Sequence, residues 1–215
     1  MRKLAYAALL VTGCSQTESS DVLTHAMYAS ISASTAGDGS TTVSTTLFID
    51  NPIYLNFVSL TGDDKLVATH GSEMKTMQET ELLNVVGHTA TFSTDAEGEL
   101  FEVAFLRTVD AGAPNSSATL PAKFAIDAPP ANASRAAALT LTYGPSGLAD
   151  VMRWQAEGDC IELATGSLAA DTGAITIAAG TIKKRMGDMI ADNCQIKITV
   201  TRARTGTLDP GYGKG

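Results

Sequence analysis

The chain has 215 residues, and its acidic side chains outnumber its basic ones, which gives a formal net charge of −8 at pH 7. Because it lacks the excess of Lys and Arg that binding to phosphate backbones requires, we expect no nucleic-acid partner. The length permits one large domain or two of about a hundred residues, either of which can bury a core.

The first residues form three zones of different character. Arg2 and Lys3 are positively charged, residues 4–11 are apolar, and small residues follow. The apolar run fits the roughly 7–15 residues of a signal-peptide core and is well short of the roughly 20 that a membrane-spanning helix needs. We therefore predict that residues 1–13 are an export signal that takes no part in the fold.

The signal ends in Val11-Thr12-Gly13-Cys14, which is an aliphatic residue, two small residues and a cysteine. This sequence resembles the lipobox of bacterial lipoproteins, the class processed by signal peptidase II. The resemblance implies cleavage between Gly13 and Cys14 and a diacylglycerol on the Cys14 thiol, which would hold the protein on a membrane. Ser15 stands where an Asp tends to retain such lipoproteins in the inner membrane, so the resemblance favours the outer membrane. The alternative is an incidental thiol in a conventional signal.

The segment after the cleavage point, residues 14–21, is polar beyond Cys14. A segment without apolar side chains cannot contribute to a hydrophobic core. We interpret it as a short flexible tether.

Apolar and polar residues alternate with a period of two through most of the body, whereas helical periodicity is rare, and this favours an all-β fold. The clearest case is a hairpin in which residues 27–34 and 42–49 flank the turn Gly37-Asp38-Gly39. Residues 72–86 are ambiguous between strands and a short helix, and residues 112–115 are interpreted as a turn. Further strands are predicted at 54–60, 65–69, 74–78, 89–93, 100–108 and 119–127.

Pro129 and Pro130 interrupt this pattern, because proline cannot donate the hydrogen bond that a central strand needs. We place a linker at 129–134, between a first β-sandwich at 22–128 and a second at 135–205, in tandem and of immunoglobulin-like or fibronectin-like type. Residues 206–215 are interpreted as a flexible tail. Strands of the second sandwich are predicted at 137–143, 149–155, 160–163, 174–178 and 194–204.

Two cysteines, Cys160 and Cys194, remain once Cys14 is assigned to lipid. In an oxidising compartment an even number of cysteines indicates a disulfide, and we predict that these two are bridged. Trp154 precedes both, unlike the antibody pattern, so we expect the bridge to join the start of one strand to the start of the last. The alternatives are two buried thiols or half of a metal site.

No spacing in the sequence matches a catalytic or cofactor-binding motif, and we expect a protein that is not an enzyme and has no metal site. His25, His70 and His88 lie at no ligand-like spacing. The weaker alternatives are calcium binding at Asp95-Ala96-Glu97-Gly98-Glu99 and docking of an acidic partner on Lys183-Lys184-Arg185.

These observations favour a membrane-anchored, non-enzymatic interaction or structural module of the cell envelope. The alternative is a carbohydrate- or envelope-binding, adhesin-like module with an envelope protein or glycan as partner. The candidate aromatic contacts for that alternative are Tyr54, Phe57, Trp154 and Tyr212. The body also resembles uncharacterised exported lipoproteins of proteobacteria, a resemblance that implies no known activity.

Overall fold

The computed structural model describes residues 16–49, 56–82, 85–168, 170–187 and 189–213, and the predicted signal and Cys14 lie outside them. Over the described residues the fold is all-β, as predicted, with two 3-10 turns as its helical elements and no helix that could span a membrane. The strands are β1 (Gln16–Glu18), β2 (Tyr28–Ser34), β3 (Thr41–Ile49), β4 (Asn56–Ser59), β5 (Lys65–His70), β6 (Glu73–Thr76), β7 (Gln78–Leu82), β8 (Val85–Phe92), β9 (Leu100–Leu106), β10 (Ala113–Thr119), β11 (Ala125–Ile126), β12 (Leu139–Gly144), β13 (Val151–Glu157), β14 (Ala164–Leu168), β15 (Ala174–Ile177) and β16 (Lys197–Ala203).

The predicted hairpin is formed by β2 and β3. Gly37 and Gly39 adopt φ angles of +81° and +87°, which favour glycine, and Asp38 between them accepts a 3.1 Å hydrogen bond from the Ser40 amide. Alternate residues such as Ala29 face inward and are buried. The period-two pattern therefore sets which face of this hairpin meets the core.

Two sheets pack around a first hydrophobic cluster. One has six strands in the order β1-β4-β3-β8-β7, with β2 also paired to β3, and the other has four in the order β10-β9-β5-β6. Leu47 and Phe92 from the first sheet meet Phe101 and Phe105 from the second, and all four are at most 2% exposed. Packing of two largely antiparallel sheets over one core is compatible with a β-sandwich.

Two three-stranded sheets, β11-β12-β15 and β14-β13-β16, surround a second hydrophobic cluster. Met152 and Ile175 in this cluster are completely buried. The Trp154 indole lies over Gly166, where an added Cβ would be 2.5 Å from the indole Nε1. Only glycine fits at this point of β14.

The chain returns to the first cluster after β16. Leu208 and Tyr212 pack with that cluster, Thr207 forms an isolated bridge with Ser117, and the Gly213 amide donates a 2.9 Å hydrogen bond to the Met27 carbonyl. The predicted flexible tail at 206–215 therefore differs from the structure over residues 206–213. A single aromatic residue among glycines gave no periodic signal from which this packing could be predicted.

The predicted tether also differs from the structure. Residues 16–18 form β1, which pairs in parallel with β4 from Gln16 opposite Phe57 to Glu18 opposite Ser59. Ser19 is completely buried, and its Oγ accepts a 3.0 Å hydrogen bond from the Thr61 amide. The segment folds through backbone and hydroxyl hydrogen bonds, which an apolar-pattern argument does not detect.

The structure decides one ambiguous segment in favour of strands and differs in detail from three other predictions. The ambiguous residues 72–86 contain β6, β7 and the start of β8 and no helix among those described. β10 begins within the predicted turn at 112–115, and the predicted strand at 119–127 is reduced to the two residues of β11. Residues 160–163 make only an isolated bridge, from Ile161 to Lys184, whereas the unpredicted β14 follows them.

Candidate functional site

One end of the six-stranded sheet gathers apolar side chains on its outer face. Tyr28 pairs with Phe48, and Phe48 pairs with Phe57, so β2, β3 and β4 place three aromatic residues side by side. On β7, Leu82 pairs with Val85 at the start of β8. Because β8 is antiparallel to β3 and His88 pairs with Thr45, Val85 lies toward the Phe48 end of β3. We call this group the apolar end; it consists of Tyr28, Phe48, Phe57, Leu82 and Val85.

Tyr28, Phe57 and Val85 face outward, because the next residue along the strand is buried in each case: Ala29, Val58 and Val86. Phe48 pairs with Tyr28 and Leu82 pairs with Val85, so these two residues share that face. Tyr28 stacks on Phe48 with ring centroids 5.7 Å apart. The side chains of Leu82 and Val85 are 74% and 43% exposed, so they leave an apolar surface in water.

The first described residue, Gln16, lies beside the apolar end. It pairs with Phe57, and its Nε2 donates a 2.9 Å hydrogen bond to Glu81 Oε1, next to Leu82. Because β1 runs parallel to β4, Gln16 at the start of β1 lies at the end of the sheet at which β4 begins. Cys14 is two residues before Gln16 in the sequence.

A buried arginine fixes the segment that follows β1. The Arg107 side chain is completely buried, and its Nε donates a 3.0 Å hydrogen bond to Asp64 Oδ2. Its Nη1 donates to the Val22 carbonyl at 2.8 Å, and its Nη2 donates to the Ser19 carbonyl. Since Arg107 follows β9, this contact ties the residues after β1 to the four-stranded sheet.

Asp110 adds a second tie to the same segment. Its Oδ2 accepts a 2.7 Å hydrogen bond from the Thr24 amide, which is the main cause of the lowered pKa of Asp110. Thr24 Oγ1 in turn accepts a 3.0 Å bond from Arg107. Residues 16–24 are therefore held to the body at β1 and at these two side chains.

Rows of hydroxyls continue the outer face of the six-stranded sheet away from the apolar end. Beyond the apolar end, the outward residues of β2, β3 and β8 are Ser or Thr except for Gly87, and none of them is charged. Their register aligns them across the strands at the spacing of a β-sheet, about 4.8 Å between neighbouring strands. The rows are Ser30 with Thr46, Ser32 with Ser44 and Thr89, and Ser34 with Thr42 and Thr91.

The predicted disulfide between Cys160 and Cys194 is present. It lies just beyond the paired ends of β13 and β16, where Glu157 is opposite Lys197. The bridge therefore joins the end of one strand to the start of the last, and not two strand starts as expected from the sequence. Cys160 is 4% exposed and belongs to the second cluster, which fits a structural role.

The three histidines do not converge. His25 is exposed, His70 Nε2 is hydrogen-bonded to Glu99 Oε2, and His88 is buried in the six-stranded sheet. No group of three or more metal-ligating side chains comes together among the residues that the structure describes.

The carboxylates proposed for calcium binding have other partners. Asp95 Oδ1 lies 2.7 Å from Lys123 Nζ, and its Oδ2 accepts a 2.9 Å hydrogen bond from the Gly39 amide. Both contacts lower the pKa of Asp95, and the contact with Lys123 has the larger effect. Glu99 contacts His70, so the carboxylate oxygens of this turn bind neighbouring segments of the protein.

The remaining sequence candidates are dispersed. Lys183, Lys184 and Arg185 are exposed, and Lys184 forms an ion pair with Asp192. Of the aromatic candidates for glycan contact, Trp154 and Tyr212 are buried, Phe57 is half-buried, and Tyr54 lies outside the described residues.

The residues of the apolar end, apart from Phe57, were not singled out in the sequence. Their common feature is the register of five strands, which a single sequence does not give. No protein-family model matches the chain, and no curated protein matches it significantly.

Proposed function

We propose that the protein is a lipoprotein of the bacterial cell envelope, anchored by lipid on Cys14 and most simply placed at the outer membrane, where it serves as a non-enzymatic interaction or structural module. The observation that carries this proposal is the place of Cys14. It ends a lipobox-like signal and lies two residues before the first strand, while Cys160 and Cys194 are bonded to each other. The Cys14 thiol is thus the one left for lipid.

The contacts of residues 16–24 support a rigid connection between anchor and body. Two extended residues span about 7 Å at most. Since β1 and the Arg107 contacts hold the chain from Gln16 onward, the body would stand directly on the membrane surface. A rigid attachment suits a module that presents one orientation to its partner.

The body itself supports a display role. We interpret the two clusters as two β-sandwich domains of immunoglobulin-like or fibronectin-like type, near 22–128 and 135–205, joined by the exposed coil at 129–134. Residues 208 and 212 follow the second domain in the sequence but pack with the first cluster, so the first domain also includes this last segment. Sandwiches of this kind present edge strands and loops to partners, although the fold by itself specifies no partner.

The anchor is tested by expressing the full chain in a bacterium and measuring the mass of its amino-terminal peptide. We expect a peptide that begins at Cys14 and carries diacylglycerol, with or without an amide-linked acyl chain. A signal peptidase II inhibitor should cause the uncut precursor to accumulate. An unmodified Cys14 thiol, or cleavage elsewhere, would contradict the proposal.

Two matched variants separate the three cysteines in the same experiment. Cys14→Ala should abolish lipidation and release the protein from the membrane fraction. Cys160→Ala with Cys194→Ala should leave lipidation and membrane attachment intact, because both lie in the second cluster's loops. Loss of lipidation in the second variant would show that the modification depends on the fold and not on the motif.

The interaction role is tested by chemical crosslinking in the native host, followed by affinity purification of the lipidated protein. We expect an envelope protein that is enriched with the wild-type chain and lost with Cys14→Ala. Equal recovery with both chains would contradict a role that depends on the anchor.

Glycan binding is a second candidate function, and the hydroxyl rows favour it. They form an uncharged face of hydrogen-bond donors and acceptors beside the stacked rings of Tyr28 and Phe48. Thr46→Val with Thr89→Val removes two hydroxyls at nearly constant volume and should weaken retention on isolated envelope polysaccharide severalfold. Thr199→Val, on the exposed face of β16, is the matched control. Equal retention of both variants would exclude these rows as the binding face.

A further inference from the structure

We infer that the apolar end rests in the surface of the membrane that carries Cys14, with Leu82 and Val85 in contact with the lipid headgroup region. The inference rests on the proposed lipidation of Cys14 and adds a second, non-covalent contact with the same membrane. The partner is a lipid surface and not another protein.

The distance follows from the chain between the lipid and the first strand. Cys14 is two residues from Gln16, so its lipid leaves the protein within about 7 Å of that residue. Gln16 pairs with Phe57 and donates a hydrogen bond to Glu81, beside Leu82. Any membrane that holds the Cys14 lipid is therefore brought to the apolar end.

The exposure of this end suits a membrane interface. Leu82 is 74% exposed, and Val85, its partner across β7 and β8, is 43% exposed. Tyr28, Phe48 and Phe57 lie half-buried on the same face. Tyr28 combines an apolar ring with a polar hydroxyl, which is favoured at the headgroup level of bilayers, and the two Phe rings add apolar area. Removing such side chains from water strengthens attachment in proportion to the apolar area covered.

The charges around the apolar end select the kind of lipid. Glu81 precedes Leu82, Glu79 lies two residues earlier on β7, and Glu18 ends β1. Carboxylates near the surface are repelled by anionic lipid and tolerated by zwitterionic lipid. We therefore expect contact with a membrane whose headgroups are mostly phosphatidylethanolamine or phosphatidylcholine.

This contact would also orient the sheet. The strand β3 runs from Thr41 at the far end to Phe48 and Ile49 at the apolar end. Thr42 is six residues from Phe48, which at about 3.3 Å per residue places the last hydroxyl row about 20 Å from the apolar end. The hydroxyl rows would then extend away from the bilayer and stay open to an envelope partner.

The test uses the full chain, lipidated in cells, purified and reconstituted in phosphatidylcholine vesicles. A nitroxide label is placed at Leu82→Cys or, as a control, at Leu163→Cys, a residue that is 66% exposed in the second cluster's loops. The native disulfide and the lipidated Cys14 leave one reactive thiol in each variant. Collision rates with oxygen and with a nickel chelate then report whether each label lies in lipid or in water.

When the protein is on vesicles, we expect the collision rate of the nickel chelate with the label at residue 82 to fall at least several-fold. The collision rate with the label at residue 163 should not change. If the protein floats with the vesicles but both labels stay equally accessible to the chelate, the membrane contact is refuted and the anchor is retained. If the protein does not float with vesicles, the proposed anchor itself is refuted.

Hydrogen exchange provides a measurement without a label. The amides of β7 and β8 near Leu82 and Val85 should exchange more slowly in the vesicle-bound lipidated protein than in the soluble Cys14→Ala protein. Vesicles with a large fraction of phosphatidylglycerol should reduce that protection. Unchanged exchange on phosphatidylcholine vesicles would overturn the inference independently of the nitroxide result.

Discussion

Tyr212 stacks on Phe105 with ring centroids 6.2 Å apart and an interplanar angle of 3°. Phe105 lies on β9, in the middle of the four-stranded sheet, so this contact places the last described segment in the first cluster. Asp209 reinforces it, because one carboxylate oxygen accepts a 2.7 Å hydrogen bond from the Asn115 amide and the other accepts one from Gly211. The segment is thus part of the core.

Truncation of Tyr212 should destabilise the protein strongly. Tyr212→Ala removes a ring that is 5% exposed, and we expect a loss of about 3–5 kcal/mol in the free energy of unfolding. Tyr212→Phe is the matched control. It should be nearly neutral, because the buried hydroxyl has no hydrogen-bond partner among the described residues. Urea denaturation of the Cys14→Ala soluble form measures both, and an alanine variant as stable as wild type would show that the segment contributes nothing to the core.

Removal of the Arg107 guanidinium should loosen the segment after β1. Arg107→Met leaves the carboxylate of Asp64, which is 2% exposed, without its partner, and we expect a loss of about 3–5 kcal/mol. The double variant Arg107→Met with Asp64→Leu should recover part of this lost stability, because the buried Asp64 carboxylate is no longer present. Hydrogen exchange at residues 19–24 should rise in the single variant. Unchanged exchange there would mean that Arg107 does not hold this segment.

Loss of the disulfide should destabilise the second cluster. Cys160 and Cys194 are separated by 34 residues, and in the chain-entropy model closing such a loop stabilises by roughly 3–4 kcal/mol. Replacing both with Ala should lower the unfolding free energy by that amount, whereas Cys14→Ala should not change it. Alkylation followed by mass measurement, with and without reductant, checks the bridge itself; an unchanged number of alkylated cysteines would disprove it.

The buried His88 should make stability depend on pH. Its side chain is 2% exposed, and burial lowers its pKa from the ordinary value of 6.5, against the opposing effect of Glu79. Below pH 6.5 the unfolded chain therefore binds this proton more readily than the folded chain, so stability is full above pH 6.5 and falls as the pH drops toward the folded pKa.

His88→Leu tests this linkage by removing the titrating group. The fall in unfolding free energy between pH 6.5 and the onset of carboxylate titration should become shallower in this variant. The exposed His25, replaced by Gln, should leave the slope unchanged. A wild-type slope in the His88 variant would assign the dependence to other groups.

The parts of the fold that the sequence predicted are those with strong alternation. β2, β3 and β16 place apolar residues at most of their inward positions, apart from the buried Thr41 and Thr45 of β3 and the buried Arg202 of β16, and burial then determines their faces. β14, with the sequence Ala-Thr-Gly-Ser-Leu, has little strand propensity and forms because it pairs with β13, where Gly166 makes room for Trp154. Tertiary pairing of this kind overrides local propensity.

The candidate site also has a part that the sequence predicts and a part that depends on strand pairing. Cys14 can be proposed as a lipidation site from the sequence, because the lipobox-like motif is short and contiguous. Leu82 and Val85 are unremarkable in the sequence, since only the pairing of β1 with β4 and of β7 with β8 brings them to Gln16. Arg107 also has no local signal, because its partners other than Asp110 come from residues distant in the chain.

The return of the chain to the first cluster determines when that cluster can be completed. Its innermost strands include β3 and β9, yet Leu208 and Tyr212 join it only after the whole second cluster, Phe124 to Val200, has been synthesised. The first core would therefore stay open while the polypeptide is being made. If residues 1–13 act as the proposed export signal, the chain would meet its export channel before this core is complete.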